Sequence, residues 1–233
     1  MNEFRFKQFS IKQNLCAMKV GTDGVLLGAW SKVPSGNVLD VGSGSGLISL
    51  MVAQRNLNCE IDAIDIDQNA FLQTQQNVIA SKWNSRIKVF NTSLQLFDTK
   101  KIYELIISNP PFFNNAYKST DLAKNTARHT DELPFKVFIN SVINLLAPHG
   151  LFTLILPVNE SLLFTELALK NNLHINRKCL VKPNYQKAPK RVLLEFSFSK
   201  IETIEEELII ETEIRHHYTE EYRNLTKDFY LKF

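Results

Sequence analysis

Four consecutive residues, Asn109-Pro110-Pro111-Phe112, have the right chemistry to hold a planar amine. They follow the apolar run 105–107, which predicts a buried strand, and ligands of open α/β sheets bind outside the carboxyl ends of strands. Both prolines fix φ, and Pro111 also restricts Pro110, so we expect the Asn109 amide and the Pro110 carbonyl to be two rigid acceptors beside Phe112. They suit a base amine or a carboxamide. A plain strand-ending turn with a core phenylalanine is the simpler alternative.

A glycine-rich turn, Gly42-Ser43-Gly44-Ser45-Gly46, joins an apolar strand containing Asp40 to a buried-helix pattern. Such glycines allow a ligand to approach the backbone and the helix N-terminus closely. A second strand ends at Asp65, about 20 residues later, where an acid can bind both hydroxyls of a ribose. The spacing is not the dinucleotide fingerprint. With the tetrad, it indicates S-adenosylmethionine, although an ordinary βα turn could also contain these glycines.

The composition predicts one domain of ordinary size, since the chain has 233 residues and is 44% hydrophobic. A net charge of +3 is compatible with nucleic acid without requiring it. The three widely spaced cysteines predict free thiols and no metal site. The longest apolar run, 151–158, is too short to span a bilayer, and no signal peptide is recognisable. We therefore expect a cytoplasmic protein, and a monomer.

Alternating helix and strand patterns predict an α/β fold with a mostly parallel sheet and helices on both faces. Thr22 or Asp23 is the expected cap of a first helix that includes residues 25–30. The further expected helices lie near 45–55, 68–81, 134–147 and 159–171. The expected strands lie near 38–41, 60–65, 87–92, 103–108, 151–157, 174–182 and 191–199. The last two strands should pair antiparallel at the edge of the sheet.

Three segments lie outside this alternation and divide the expected single domain. Residues 1–33 predict an extended arm followed by the first helix, and residues 34–200 form the expected core. Residues 201–233 contain enough aromatic and aliphatic side chains to predict a docked extension. The polar stretch 113–133 follows the tetrad and is long for a connection, so it is either a substrate-binding loop or a disordered insertion.

The chain resembles class I S-adenosylmethionine-dependent methyltransferases of the amino-group type, which have a seven-stranded Rossmann-like sheet and Asn-Pro-Pro-Tyr/Phe after the fourth strand. Its N-terminal segments 6–9 and 16–30 more specifically resemble the bacterial valine-tRNA adenine-N6 methyltransferase family. Segments 191–197, 218–222, 225–226 and 229–231 also match that family. The resemblance extends over essentially the whole chain. It implies methylation of the adenosine immediately 3′ of the anticodon, with tRNA as partner.

The resemblance also implies roles for individual residues. Asn109 and Pro110 would accept the two N6 hydrogens of adenine, and Phe112 would stack on the extruded base. Asp65 would hold the ribose, while Asp40 and the glycine loop would line the methionine end. Thr22 and Asp23 would close the site from the other side. Where related enzymes often have an acid for the cofactor's adenine amine, this chain has Ser93, a neutral candidate.

Basic residues are candidates for phosphate contacts, although ordinary solvated surface is at least as good a reading of each one. They are Arg5, Lys7, Lys12, Arg128, Lys182, Lys187, Lys190 and Arg191. Three other functions stay open. Guanine-N2 methylation of rRNA and glutamine methylation of a release factor could use the same two acceptors. A cofactor-binding RNA chaperone is the alternative that is not an enzyme.

Overall fold

The structure is a computed structural model that describes residues 3–110 and 135–233. The helices of this part are α1 (Thr22–Trp30), α2 (Leu47–Arg55), α3 (Gln68–Ile79), α4 (135–145), α5 (Val158–Lys170) and α6 (Glu220–Thr226). The strands are β1 (Glu3–Arg5), β2 (Ser10–Lys12), β3 (Gly36–Val41), β4 (Cys59–Asp65), β5 (Ile87–Asn91), β6 (Tyr103–Ser108), β7 (Leu146–Pro157), β8 (His174–Lys182), β9 (Arg191–Ser197) and β10 (Ile204–Ile209).

Eight of these strands form one sheet in the order β10-β8-β9-β7-β6-β3-β4-β5. The neighbours β3/β4, β4/β5, β3/β6 and β6/β7 are parallel, as the alternating pattern predicts. The chain moves outward from β3 to β4 and β5 and then returns to the other side of β3 as β6. The ends of β3 and β6 therefore flank the topological switch point, where ligands of open α/β sheets bind.

The antiparallel strand β9 lies between β7 and β8, and both of its pairings are antiparallel. The predicted antiparallel hairpin of β8 and β9 toward the edge of the sheet is confirmed, and one further strand lies outside it. Strand β10, from the C-terminal extension, pairs parallel with β8 and forms the edge. The sheet therefore has eight strands rather than seven. The eighth satisfies backbone groups of β8 that an edge strand would leave unpaired.

A cluster of charged and aromatic side chains secures β10 against α1. The Trp30 Nε1–H donates to Glu206 Oε2 at 2.6 Å, and the Arg177 guanidinium lies 4.1 Å from the centre of the Trp30 ring. Arg177 also pairs with Glu206 at 3.3 Å and with the buried Glu195 at 3.4 Å. A buried carboxylate needs such partners, so the cluster fixes the position of the extension.

Buried apolar side chains cover both faces of the sheet in two clusters. One cluster joins α1, α2, the arm and the extension. The other joins α4 and α5 to the opposite face, where Phe135, Phe152, Phe164 and Phe196 pack with ring centres about 5–6 Å apart. The helices on both faces explain why the central strands are apolar without alternation.

The arm and the extension pack on each other. The arm is a hairpin of β1 and β2, and Phe6 forms a β-bridge with Tyr230 of the extension. The Lys7 N–H donates to the Phe229 carbonyl at 2.8 Å, and the Lys7 ammonium donates to the carbonyls of Lys227 and Phe233. The predicted docking of the extension is confirmed, and the arm forms part of the same packed unit.

Candidate active site

A cleft opens where β3 and β6 end. Val41 and Ser108 are register partners at these ends, and the Ser108 hydroxyl donates to the Val41 carbonyl at 2.9 Å. The glycine turn begins directly after Val41, and Asn109 directly follows Ser108. Because the two strands are held in register, the turn and the asparagine both line the cleft. The switch point thus brings together two motifs that are far apart in the sequence.

The glycine turn presents backbone rather than side chains to the cleft. Gly42 and Gly44 have φ of 73° and 59°, a left-handed conformation that favours glycine. A Cβ at Gly42 would meet no atom within 4 Å, so that position faces open space. The N–H groups of Gly42 and Ser43 both donate to the Ile64 carbonyl, at 2.9 and 3.0 Å, which fixes the turn against β4. The result is a rigid concave backbone surface at the start of α2.

Asp65 supports the turn from the end of the neighbouring strand. Its Oδ2 accepts from the Gly44 N–H at 2.8 Å, and its Oδ1 accepts from the Asp67 N–H at 2.9 Å. The carboxylate does not itself line the cleft among the described residues. Each of its oxygens can accept a further hydrogen bond. Asp65 is therefore placed to shape the glycine turn and retains capacity for hydroxyl groups.

Asp40 does not have the predicted position. Its side chain is fully buried, and its Oδ2 accepts from the backbone N–H and the hydroxyl of Ser49 at 3.0 and 2.6 Å. Burial raises the pKa of this carboxyl to about 7, against the opposing effect of the Ser49 hydrogen bonds. Ser49 is the third residue of α2, whose N-cap Gly46 has no side chain to satisfy that N–H. Asp40 therefore caps α2 from behind the turn and does not line the methionine end.

Asn109 lines the cleft with an acceptor that is not used. Within residues 3–110 and 135–233, its Oδ1 is a buried atom without a hydrogen-bond partner. A buried acceptor without a partner carries a desolvation cost of about 1–3 kcal/mol, so it marks a place for a donor. Pro110 is also buried. Pro111, Phe112, Arg128 and the stretch 113–133 lie outside the described residues.

The opposite wall of the cleft, which has a volume of about 270 Å³, is formed by the segment before α1 together with the first residues of that helix. It consists of residues 18–24, of which the sequence singled out only Thr22 and Asp23 as site residues. Met18, Lys19, Val20 and Gly21 also line the cleft, as do Leu47 and Ile48 of α2. The sequence could have indicated these residues only through their positions, directly before Thr22 or directly after the glycine turn. Met18, Val20 and Gly21 are of types with no chemistry that would single them out, and Lys19 is one of many lysines in the chain.

Thr22 and Asp23 are within the first turn of α1, so the predicted cap is wrong by one or two residues. Gly21 is the N-cap, in extended conformation. The Asp23 carboxylate pairs with the Arg191 guanidinium at 2.8 Å. This pair ties the cleft wall to the start of β9. Both charged groups were predicted to contact ligands, and the structure joins them to each other.

The remaining predicted cofactor residues lie near the cleft without lining it in the described part of the chain. Gly46 starts α2, and a Cβ there would approach the Thr74 side chain to 3.1 Å. The Thr74 hydroxyl donates to the Gly44 carbonyl at 3.0 Å, so α3 also holds the turn. Ser93 follows β5 and precedes a short 3₁₀ helix, Leu94–Leu96, at the same carboxyl edge of the sheet.

The candidate phosphate contacts differ in how far their charges are engaged. Lys7 binds carbonyls of the extension, and Lys182 pairs with Glu207 at 2.8 Å. Arg5 is exposed and pairs with Glu3 at 3.2 Å. Three further lysines are exposed: Lys12, Lys187 and Lys190. The last two lie in the loop between β8 and β9, which leads to Arg191.

Residues 3–110 and 135–233 contain neither a cluster of metal-ligating side chains nor a membrane-spanning helix. No group of three or more His, Cys, Asp or Glu side chains is placed to hold a metal ion. The three cysteines are free and buried. Among the helices of this part, none combines the length and the apolar character needed to cross a membrane.

Comparison with known proteins identifies the family. Residues 18–133 match the family described as "Methyltransferase small domain". A tRNA1(Val) (adenine(37)-N6)-methyltransferase of Trichodesmium erythraeum is 46% identical, covering 100% of this chain and 99% of its own. The protein of the same name from Bacteroides fragilis is 43% identical over 98% of both chains.

The fold agrees with solved structures of methyltransferases. A protein of Agrobacterium tumefaciens described as a predicted O-methyltransferase has a TM-score of 0.71, with 89% of this chain and 96% of that one covered. At 16% identity this likeness shows the fold alone. The assignment rests instead on the full-length relatives, and the chain belongs to the tRNA1(Val) (adenine(37)-N6)-methyltransferase family.

Proposed function

We propose that this enzyme uses S-adenosylmethionine to methylate N6 of the adenosine immediately 3′ of the anticodon in a valine tRNA. The observation that carries the proposal is the buried Asn109 Oδ1 in the glycine-turn cleft, which has no hydrogen-bond partner within residues 3–110 and 135–233. An acceptor in that place suits an amine that must be held beside a methyl donor. The substrate named for the relatives, adenine at position 37, has such an amine.

The residues around the cleft fit the cofactor. Gly42 and Gly44 present an open backbone surface at the start of α2, and Asp65 has remaining acceptor capacity for ribose hydroxyls. S-Adenosylmethionine, when bound, supplies a methyl group on a positively charged sulfur. Thr22 and the preceding segment would cover it from the opposite wall. Ser93 is our candidate for the adenine amine of the cofactor.

The chemistry assigned to the chain is orientation of a weak nucleophile. The lone pair of adenine N6 is delocalised into the ring. If Asn109 Oδ1 and the Pro110 carbonyl accept the two N6 hydrogens, the lone pair turns out of the ring plane. The same acceptors stabilise the positive charge that develops on N6. Alignment of amine and methyl converts a bimolecular step into a unimolecular one, which can lower the barrier by up to about 7–11 kcal/mol.

No strong base is needed, because the proton can leave to water after methyl transfer. We assign Phe112 to stacking on the extruded base, with Pro111 keeping the preceding proline rigid. An adenosine in a loop is cheaper to extrude than one in a duplex. Arg5, Lys12, Lys187, Lys190 and Arg128 are assigned to phosphate contacts. Lys7 and Arg191 are assigned mainly to holding the extension and the cleft wall.

We further propose that the enzyme works in the cytoplasm as a monomer. Its substrate class is found in that compartment, and the site described above is assembled within one chain. The size of the protein in solution, measured by light scattering at micromolar concentration, tests the second statement. A dimer that persists on dilution would contradict it.

The deciding experiment is methyl transfer from labelled S-adenosylmethionine to bulk tRNA from a strain lacking the enzyme. Digestion to nucleosides and mass spectrometry should find the label on N6-methyladenosine, in a fragment next to the anticodon of a valine tRNA. Ribosomal RNA and a release factor, offered separately, should accept none. Label on a guanine amine or on a protein glutamine would overturn the proposed substrate. Tight RNA binding without any transfer would favour the chaperone.

A further inference from the structure

A second cavity lies beside the cleft, between the arm and the extension, and we call it the arm–tail cavity. Its volume is about 430 Å³, within the range that holds small ligands. Aromatic rings dominate its walls, and Tyr218, Tyr230 and Phe233 are each only partly buried. The methyl-transfer reaction described above uses none of these side chains.

The rings of the arm–tail cavity are held in a fixed arrangement. Tyr218 stacks on the buried Tyr222 with ring centres 5.2 Å apart and an angle of 24° between the planes. Phe233 stands edge-on to Tyr218 and Tyr230, at 5.2 and 5.4 Å. Tyr218 and Phe233 are therefore aromatic surfaces that are held in place before a ligand arrives.

The cavity connects the cleft to a basic groove. Thr22 lines both the cleft and the arm–tail cavity. Arg5 and Leu231 line both the cavity and a groove of about 630 Å³ along the arm, where Lys12 also lies. Because these hollows share wall residues, a ligand strand that leaves the cleft would meet the aromatic cavity next and then the groove.

The charges along this path favour a polyanion. Arg5 and Lys232 line the cavity and are exposed, whereas Glu211 is the acid among the described residues of its wall. The Arg5 side chain pairs with Glu3 but remains 69% exposed, so its guanidinium can also contact a phosphate group. Aromatic faces joined to exposed cations are the combination that binds single-stranded nucleic acid.

From this geometry we propose that the arm–tail cavity binds a second nucleobase of the RNA, one adjacent to the methylated adenosine, by stacking on Tyr218 with Phe233 edge-on beside it. The inference rests on the proposed function, because it places the target base in the neighbouring cleft. Stacking accepts any base, so the cavity would contribute affinity and position rather than sequence choice. An apolar peptide could also fill an aromatic cavity. Continuity with the amine site and with the basic groove favours the base.

The test uses the anticodon stem-loop of valine tRNA with 2-aminopurine at single loop positions, one at a time. Stacking on an aromatic ring quenches the fluorescence of this base. With the full-length enzyme and S-adenosylhomocysteine, we expect one position next to the target adenosine to be quenched on binding. Tyr218→Leu should abolish that quenching and weaken binding about tenfold. Tyr218→Phe keeps the ring and should retain both.

A matched control removes an aromatic ring elsewhere. Phe198 is partly buried and follows β9 at the opposite edge of the sheet from the cleft. Phe198→Leu should leave quenching and affinity unchanged. Lys232→Glu should instead reduce the dependence of binding on salt, because it acts on phosphate rather than on stacking. If Tyr218→Leu does not fold, Phe233→Leu provides the same comparison.

The outcomes separate the two proposals. Binding and methylation of the stem-loop without quenching at any position next to the target would overturn the cavity proposal alone. So would quenching that persists in both Tyr218→Leu and Phe233→Leu. Failure of the wild-type enzyme to bind or methylate the stem-loop would overturn the proposed function and this inference together. An apolar peptide that binds in the cavity and leaves binding and quenching of the stem-loop unchanged would also contradict it.

Discussion

The cleft and the aromatic cluster that joins the arm to the extension are built in opposite ways. Backbone atoms form much of the cleft: a glycine turn with positive φ, held by the Ile64 carbonyl and the Asp65 carboxylate. Aromatic side chains form the cluster, where Phe6, Phe229 and Tyr230 meet from segments more than 200 positions apart. The first is shaped by local conformation and the second by long-range packing. Substitution of a buried ring in the cluster should therefore change mainly stability, and substitution of a side chain that lines the cleft should change mainly function.

The largest expected effect is a loss of stability in the aromatic cluster. Phe229 is 2% exposed within the cluster that joins arm and extension. Phe229→Ala should lower the free energy of unfolding by about 3–5 kcal/mol, since it leaves a cavity that aromatic neighbours cannot fill. Denaturant unfolding measures the loss. Leu231→Ala, at a residue 60% exposed, is the control and should change stability by less than about 0.5 kcal/mol. Equal losses in the two variants would contradict the contrast.

Next in size is the effect of removing the cleft's free acceptor. Asn109→Ala should slow single-turnover methylation by about 10²–10³-fold, the scale of losing one oriented transition-state partner. Unfolding and cofactor affinity should stay near wild type, because Oδ1 has no partner in the described residues. Asn37→Ala, at the start of β3 and the far edge of the sheet, is the matched control for activity. Wild-type turnover in Asn109→Ala would exclude the acceptor role.

A smaller effect is expected for Asp40, which supports the glycine turn from behind and does not line the cleft. Because burial raises the pKa of Asp40 to about 7, the folded protein binds a proton between pH 4 and 7 that the unfolded chain releases. Stability from this group therefore falls as pH rises, by about 2 kcal/mol between pH 5 and 7. Asp40→Asn mimics the protonated acid and should flatten that part of the stability profile. The same slope in wild type and variant would show that Asp40 is not the group responsible.

The smallest effect concerns Asp65, which the structure gives two possible ways of acting. Asp65→Asn should weaken cofactor binding about tenfold, or roughly 1.4 kcal/mol, in calorimetry. If the acid contacts ribose, wild type should bind S-adenosylhomocysteine better than its 2′-deoxy analogue, and the variant should lose that preference. A preference that persists would mean that Asp65 acts only by holding the Gly44 N–H. Asp67→Asn, on the same loop, is the control and should bind both normally.

The sequence predicted best what local pattern determines. The strand before Gly42, the strand before Asn109 and the glycine turn each depend on neighbours in the chain, and all three lie where the patterns placed them. Their meeting in one cleft follows from a general property of parallel sheets, that carboxyl ends share an edge. The methyltransferase fold and family were also predicted, through the resemblance of the N-terminal run and the C-terminal extension.

What the sequence missed depends on direction and distance. An acid at a strand end does not reveal whether it faces the cleft or the helix behind it, and Asp40 faces Ser49. Docking of β10 on β8 depends on Trp30, Arg177 and Glu206, which no local pattern connects. In the wall at residues 18–21, only Lys19 has a charged side chain, and nothing in the sequence distinguishes it from the other lysines of the chain. The role of Pro111 and Phe112 stays a prediction.

The hydrogen bond from the Lys7 ammonium to the backbone oxygen of Phe233 has a consequence for synthesis of the protein. Its two residues are 226 positions apart, so the arm leaves the ribosome long before its partner exists. Until then Phe6 lacks the Tyr230 ring that stacks on it in the finished protein, and Phe6 and Phe9 are apolar side chains of an unfinished chain, which can aggregate. Arg5, Lys7 and Lys12 flank them, and charges in such places discourage association of nascent chains. The same basic residues thus protect the unfinished arm before they take up any role in the finished enzyme.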